Sequence, residues 1–106
     1  MDIMDISREF LLGFIKIHLL YHANKEGFCG IDMMDELKRH GYRIGPSTLY
    51  PTLHKLQESG YLKSEKRNEG GKMRIYYRAT PKGKLVLSRI KPKIDKLISE
   101  ITENKK

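Results

Sequence analysis

Between residues 62 and 79 the side-chain pattern changes from a helical repeat to alternation, and this change limits the folds open to the chain. Segments 62–67 and 73–79 predict two strands, and Asn68-Glu69-Gly70-Gly71-Lys72 predicts the Gly-rich turn of a hairpin. In the second strand Met73, Ile75, Tyr77 and Ala79 face one way, and Arg74, Tyr76 and Arg78 face the other. Such a ribbon is packed on one side and basic on the other. A lone hairpin is barely stable in water, so the flanking segments must cover its apolar side.

Those flanks read as helices. The first is predicted over 7–23, with Ser7 as N-cap and Glu9 in the first turn, where the helix dipole favours an anion. Phe10, Leu11, Phe14, Ile15, Ile17, Leu19, Leu20 and Tyr21 make it apolar around most of its circumference. A helix apolar on several sides needs cover on several sides, and in 106 residues a second subunit is the natural source. Residues 24–27 read as a loop. A second helix, 31–40, places Ile31, Met34 and Leu37 on one face and Asp32, Asp35, Glu36 and Lys38 toward solvent, with Gly41 just past its last turn. A third, 46–59, carries Leu49, Leu53 and Leu56 as one buried stripe, with Pro51 expected in or next to the first turn. Its other face shows Ser47, Thr48, Tyr50, His54 and Lys55, and none of these is an acid. After the hairpin, Thr80-Pro81 predicts an N-cap and first helical residue. Leu87, Ile90, Ile94, Leu97 and Ile101 then follow with heptad spacing. Pro92 is expected to kink or split this helix before Lys91.

The order helix, helix, helix, hairpin, helix predicts a mostly α, α+β fold. It is a winged helix-turn-helix over residues 1–80, followed by a dimerisation helix over 81–106. In such a motif the third helix enters the major groove and the hairpin serves as a wing. Charge follows the same division. Residues 38–91 hold fourteen Lys/Arg against three Asp/Glu, whereas residues 1–37 hold three against seven. The basic surplus therefore lies on the segment of the third helix and hairpin, which points to an acidic partner such as double-stranded DNA. Candidate DNA-contacting residues are Arg43 in the turn, Ser47, Thr48, Tyr50, Pro51, His54 and Lys55 on the helix, and Lys72 and Arg74 on the wing. Candidate dimer residues are Phe10 and Phe14 on the first helix, and Leu87, Ile90, Ile94, Leu97 and Ile101 on the last.

The block from Gly45 to Leu62, with Leu49-Tyr50-Pro51 at its centre, closely resembles the recognition-helix signature of PadR-like regulators. Tyr76-Tyr77-Arg78-Ala79-Thr80-Pro81-Lys82-Gly83 resembles the same family's second wing strand and the entry to its final helix. The resemblance covers roughly residues 8–90 and fits the family's shorter branch, which ends in a single C-terminal helix. It implies a homodimer held by that helix with help from the first. It also implies binding to a palindromic operator, usually as a repressor. Some members of that branch hold flat aromatic drugs between interface tryptophans; this chain has no Trp, and the sequence names no effector.

Other classes find less support. The single cysteine, Cys29, excludes an internal disulfide and reads as a structural thiol. His18 and His22 have a workable i, i+4 ligand spacing, but no Cys pair or acidic cluster accompanies them in sequence. They read as buried or interface histidines, and no metal or cofactor is expected. There is no nucleophile–base pair or paired carboxylate in a loop, so an enzyme is not expected. No apolar run approaches membrane-spanning length and the N-terminus is acidic, which predicts a cytoplasmic protein with no membrane partner. The alternative of a different class is a winged-helix adaptor whose basic face binds an acidic protein without DNA.

Overall fold

The structure, a computed structural model, describes residues 3–103. The order is α1 (Ile3–Lys25), β1 (Phe28–Cys29), α2 (Gly30–Arg39), α3 (Pro46–Glu58), β2 (Leu62–Glu69), β3 (Lys72–Ala79) and α4 (Pro81–Glu103). The strands form one antiparallel sheet in the order β1-β3-β2. The expected mostly helical, winged architecture is present.

The core lies where α1, α2 and α3 meet the base of the sheet. Ile15 and Leu19 of α1, Leu37 of α2, Leu49 and Leu53 of α3 and Leu62 of β2 are its largest fully buried side chains. Each is worth about 1.5–3 kcal/mol relative to exposure. Phe28 stacks on Tyr77 with ring centroids 5.7 Å apart, which closes the core at the β1–β3 pair.

The structure corrects four local expectations and adds a strand. α1 starts at Ile3, so Ser7 is inside the helix and does not cap it; no glycine or proline interrupts the chain before Gly13. The helix runs to Lys25, two residues further than expected, and is closed at Gly27, whose φ of +80° suits glycine and whose amide donates to the His22 carbonyl. On α2 the inward pair is Met33 and Leu37, an i, i+4 pair, while Ile31 is 58% exposed and Met34 half-buried. Ile31 sits in the first turn of α2 and faces the wing. β1 lies between the loop read over 24–27 and the helix read from 31, in a stretch to which the sequence assigns no element. The hairpin strands run further than expected and leave only Gly70 (φ +59°) and Gly71 (φ +83°) as the turn. Two successive left-handed residues fit the twist of a two-residue hairpin turn.

The alternation on β3 holds, but only its base is covered. Tyr77 and Ala79 are buried, whereas Met73 is 61% exposed because the ribbon has run beyond the core.

α4 is unbroken across Pro92. Pro92 lacks the amide that would reach the Ser88 carbonyl, but it is exposed, so water can satisfy that carbonyl. Thr80 caps this helix as expected: its Oγ accepts from the Gly83 amide and donates to the Gly60 carbonyl. Lys82 Nζ donates to the Ser59 carbonyl and stands 5.0 Å over the Tyr61 ring. The start of α4 is thereby clasped to the end of α3. Beyond Gly83 no residue of α4 is buried, and the molecule extends 58 Å along its longest axis.

Candidate nucleic-acid interface

The burial of Leu49, Thr52, Leu53 and Leu56 turns the other face of α3 outward. Ser47, Tyr50, Pro51, His54 and Lys55 are exposed there, and Thr48 is half-buried. Gly45 is the N-cap and offers no side-chain cap; its carbonyl accepts from the Thr48 and Leu49 amides. The first turn is thus free of acids and presents the positive end of the helix, an arrangement suited to phosphate. Pro51 is the sixth helical residue, next to the first turn, and the Ser47 carbonyl loses its helical partner. One turn on, Thr52 Oγ donates to the Thr48 carbonyl at 2.8 Å, tightening the same region.

Tyr50 is 36% exposed and packs on Gly30 at the start of α2. Gly30 and Tyr50 line a cleft of about 210 Å³ together with Cys29, Ile31, Met73, Arg74 and Ile75. This cleft is where α2, α3 and the wing come together.

On the wing, Lys63, Glu65, Arg67 and Glu69 of β2 stand opposite Arg78, Tyr76, Arg74 and Lys72 of β3 and share a face. Several of these charges are spent internally. Arg67 Nε donates to Glu65 at 2.9 Å and its guanidinium lies 4.2 Å over the Tyr76 ring. That hydrogen bond holds the Glu65 carboxyl below its ordinary value. The Tyr76 hydroxyl donates to Glu69 at 3.2 Å; burial first, then this bond, raises the phenol above its ordinary value. Arg74 pairs with Glu69 at 3.6 Å and donates to Cys29 Sγ at 3.8 Å, so it is tied to the base of the sheet. Lys72 is exposed at the tip and makes no ion pair among the described residues. Lys63, Lys66 and Arg78 are also exposed cations of the hairpin that the sequence reading did not single out.

Between α2 and α3, Gly41 (φ +89°) closes α2 as expected, with its amide on the Lys38 carbonyl and the Tyr42 amide on the Leu37 carbonyl. Arg43 is exposed in this turn and lines a shallow cleft with Lys38. Lys38, a solvent-side residue in the sequence, stands in the last turn of α2 beside the turn that leads to α3.

Phe10, Phe14, Leu97 and Ile101 are exposed, the first by 66% and the last by 65%, and Leu87, Ile90 and Ile94 are half-buried. Ile98, absent from the heptad reading, is exposed as well. α1 and α4 meet along a groove that gathers Ile17, Tyr21, Leu87 and Ile94.

Three helices, the third clasped at its end to α4, followed by a hairpin wing with a two-residue turn, define a winged helix-turn-helix of the kind found in transcriptional regulators. The chain belongs to the Transcriptional regulator PadR-like family, whose pattern matches residues 19–89. It is 43% identical over 94 residues to Transcriptional regulator Rv3488 of Mycobacterium tuberculosis, covering 89% of this chain and 88% of that one. Among solved structures it is similar to a PadR family transcriptional regulator from Eggerthella lenta, with a TM-score of 0.78 and 30% identity over 95% of this chain and 89% of that one. It is also similar to smu.1704 of Streptococcus mutans, with a TM-score of 0.79 and 29% identity over 88% and 86%. The protein is therefore a PadR-like transcriptional regulator. No helix among the described residues is long and apolar enough to cross a membrane.

Proposed function

We propose that this regulator is a cytoplasmic homodimer that binds a palindromic operator, as a repressor. Residues 1–80 contact DNA and residues 81–106 hold the two subunits together. The observation that carries the reading is the acid-free first turn of α3 beside a wing whose Lys72 makes no ion pair among the described residues. In this arrangement the start of α3 enters the major groove. Ser47, Thr48, Tyr50, Pro51, His54 and Lys55 then meet base edges and phosphates, while Arg43 and Lys72 meet phosphates on either side. Arg74 acts mainly as a brace for the wing, through Glu69 and Cys29.

The exposed apolar residues of α1 and α4 support the dimer. Phe10, Phe14, Leu97, Ile98 and Ile101 are large apolar side chains left more than half exposed, and a second subunit would cover them. Two-fold symmetry then sets the recognition helices about one turn of DNA apart, roughly 34 Å. Repression follows from occupancy of a site that overlaps a promoter.

Selection of genomic DNA fragments by the purified protein tests the proposal. Enrichment of an inverted repeat with half-sites about ten base pairs apart is expected. No enrichment at low salt, together with capture of an acidic protein, would favour an adaptor and contradict it.

A further inference from the structure

His22 of α1, Glu36 of α2 and His40 at the C-cap of α2 converge, with one ligand atom from each lying within 4.8 Å of the others. Glu36 and His40 are an i, i+4 pair on α2, whereas His22 is 14 and 18 residues away from them and joins them because α1 lies beside the end of α2. Glu36 is central. Its Oε1 accepts from Arg39 Nη2 at 2.6 Å, which fixes the carboxylate plane. Its Oε2 faces both imidazoles, 3.0 Å from His40 Nε2 and 3.9 Å from His22 Nε2. One neutral imidazole donating to the carboxylate accounts for His40, while His22 Nε2 faces the same oxygen from beyond hydrogen-bond reach. A tetrahedral zinc ion with metal–ligand bonds near 2.0–2.1 Å requires ligand atoms roughly 3.4 Å apart. The separations of the two imidazoles from Glu36 bracket that value, and no pair of ligand atoms is more than 4.8 Å apart.

We propose that His22, Glu36 and His40 form a binding site for a divalent transition-metal cation, with Zn²⁺ as the reference ion. Two imidazoles and one carboxylate suit zinc, cobalt and nickel, and suit magnesium or calcium poorly. Arg39 is the outer partner that orients the carboxylate. A fourth position remains for water. Glu36 and His22 are half-buried and His40 is exposed, so the ion has an entry path and the ligands need only small rotations.

The site joins two elements with different tasks. α1 carries exposed Phe10 and Phe14, and α2 leads through the turn at Gly41 into α3. The same histidines line the α1–α4 groove with Leu87 and Ile94. A bound cation would lock α1 to the end of α2 and couple the subunit-facing helix to the helix-turn-helix.

The test is titration of the metal-free full-length protein with Zn²⁺ by calorimetry and with Co²⁺ by visible absorption, alongside thermal melts. One Zn²⁺ per chain is expected, with a melting midpoint that rises with Zn²⁺ concentration. The Co²⁺ bands should be those of a nitrogen- and oxygen-ligated four-coordinate ion. His22→Ala and His40→Ala should each weaken binding by at least about tenfold, the scale on which even outer-shell partners act. Both variants should retain the wild-type circular dichroism spectrum, because neither side chain is part of the core. Arg39→Ala should weaken binding less than either. Zn²⁺ binding that is absent, or unchanged in both histidine variants, would overturn the proposal. So would a Co²⁺ spectrum identical to that of the free aqueous ion.

Discussion

Tyr50 rests on Gly30: a methyl group built on the Gly30 α-carbon would stand 3.0 Å from Tyr50 Cε1 and 3.2 Å from its hydroxyl oxygen. The first turn of α2 thus sets how far the Tyr50 ring stands out from the recognition helix. Gly30→Ala should push the ring outward by a few tenths of an ångström and lower operator affinity several-fold, with little change in the melting midpoint. Fluorescence anisotropy on an operator duplex, with a parallel melt, checks this. Unchanged affinity would mean that the position of the ring does not matter to DNA.

Tyr50→Ala removes the ring itself. Binding should fall by about 1–3 kcal/mol, the range for a lost base-edge contact. Stability should fall by only about 1 kcal/mol, because the ring is at the rim of the core. Collapse of the circular dichroism spectrum would instead make Tyr50 a core residue.

Gly83 is buried under the turn after α3, where any Cβ would collide with the Tyr61 carbonyl oxygen. Alanine is the better helix former by about 1 kcal/mol, but overpacking against backbone costs about 1–3 kcal/mol. Gly83→Ala should therefore be net destabilising in urea denaturation, and an increase in stability would contradict the packing described.

Ile94 is half-buried in the groove between α1 and α4, midway along the heptad series. Ile94→Lys places a charge where the second subunit is proposed to pack. The protein should sediment as a monomer in analytical ultracentrifugation and bind operator more weakly. A dimer that survives would shift the interface toward Phe10 and Phe14.

The two wing cations should separate. Lys72 makes no ion pair among the described residues, so Lys72→Ala should reduce the salt slope of binding by about one per subunit at unchanged stability. Arg74 is held by Glu69 and Cys29, so Arg74→Ala should lower the melting midpoint more than it changes the salt slope. Equal slopes for the two variants would count against the internal bracing of Arg74.

Some of this architecture was legible in the sequence because its signals are periodic or stereochemical. Leu49, Leu53 and Leu56 marked α3, alternation marked β3, and Thr80-Pro81 marked the start of α4. Other features arise only from packing between segments. β1 is two residues long and has no period of its own, so its pairing with Tyr76 and Tyr77 left no trace. Ile31 fits a helical stripe as well as Met33 does; the approach of the wing to the first turn of α2 decides between them. The His22–Glu36–His40 cluster joins two helices, and the i, i+4 pair His18 and His22 that drew notice in sequence is not the set that converges. His18 instead packs edge-on against Tyr42, and burial first, then His40 and His22, holds it below the ordinary histidine value.

The central claim is that two copies of this chain grip DNA through α3 and the wing. The most direct measurement is the salt dependence of binding to the protein's own operator. With about four phosphates neutralised per subunit, the log–log slope for the dimer should lie near −7. A slope near zero, or no binding at low salt, would contradict the account.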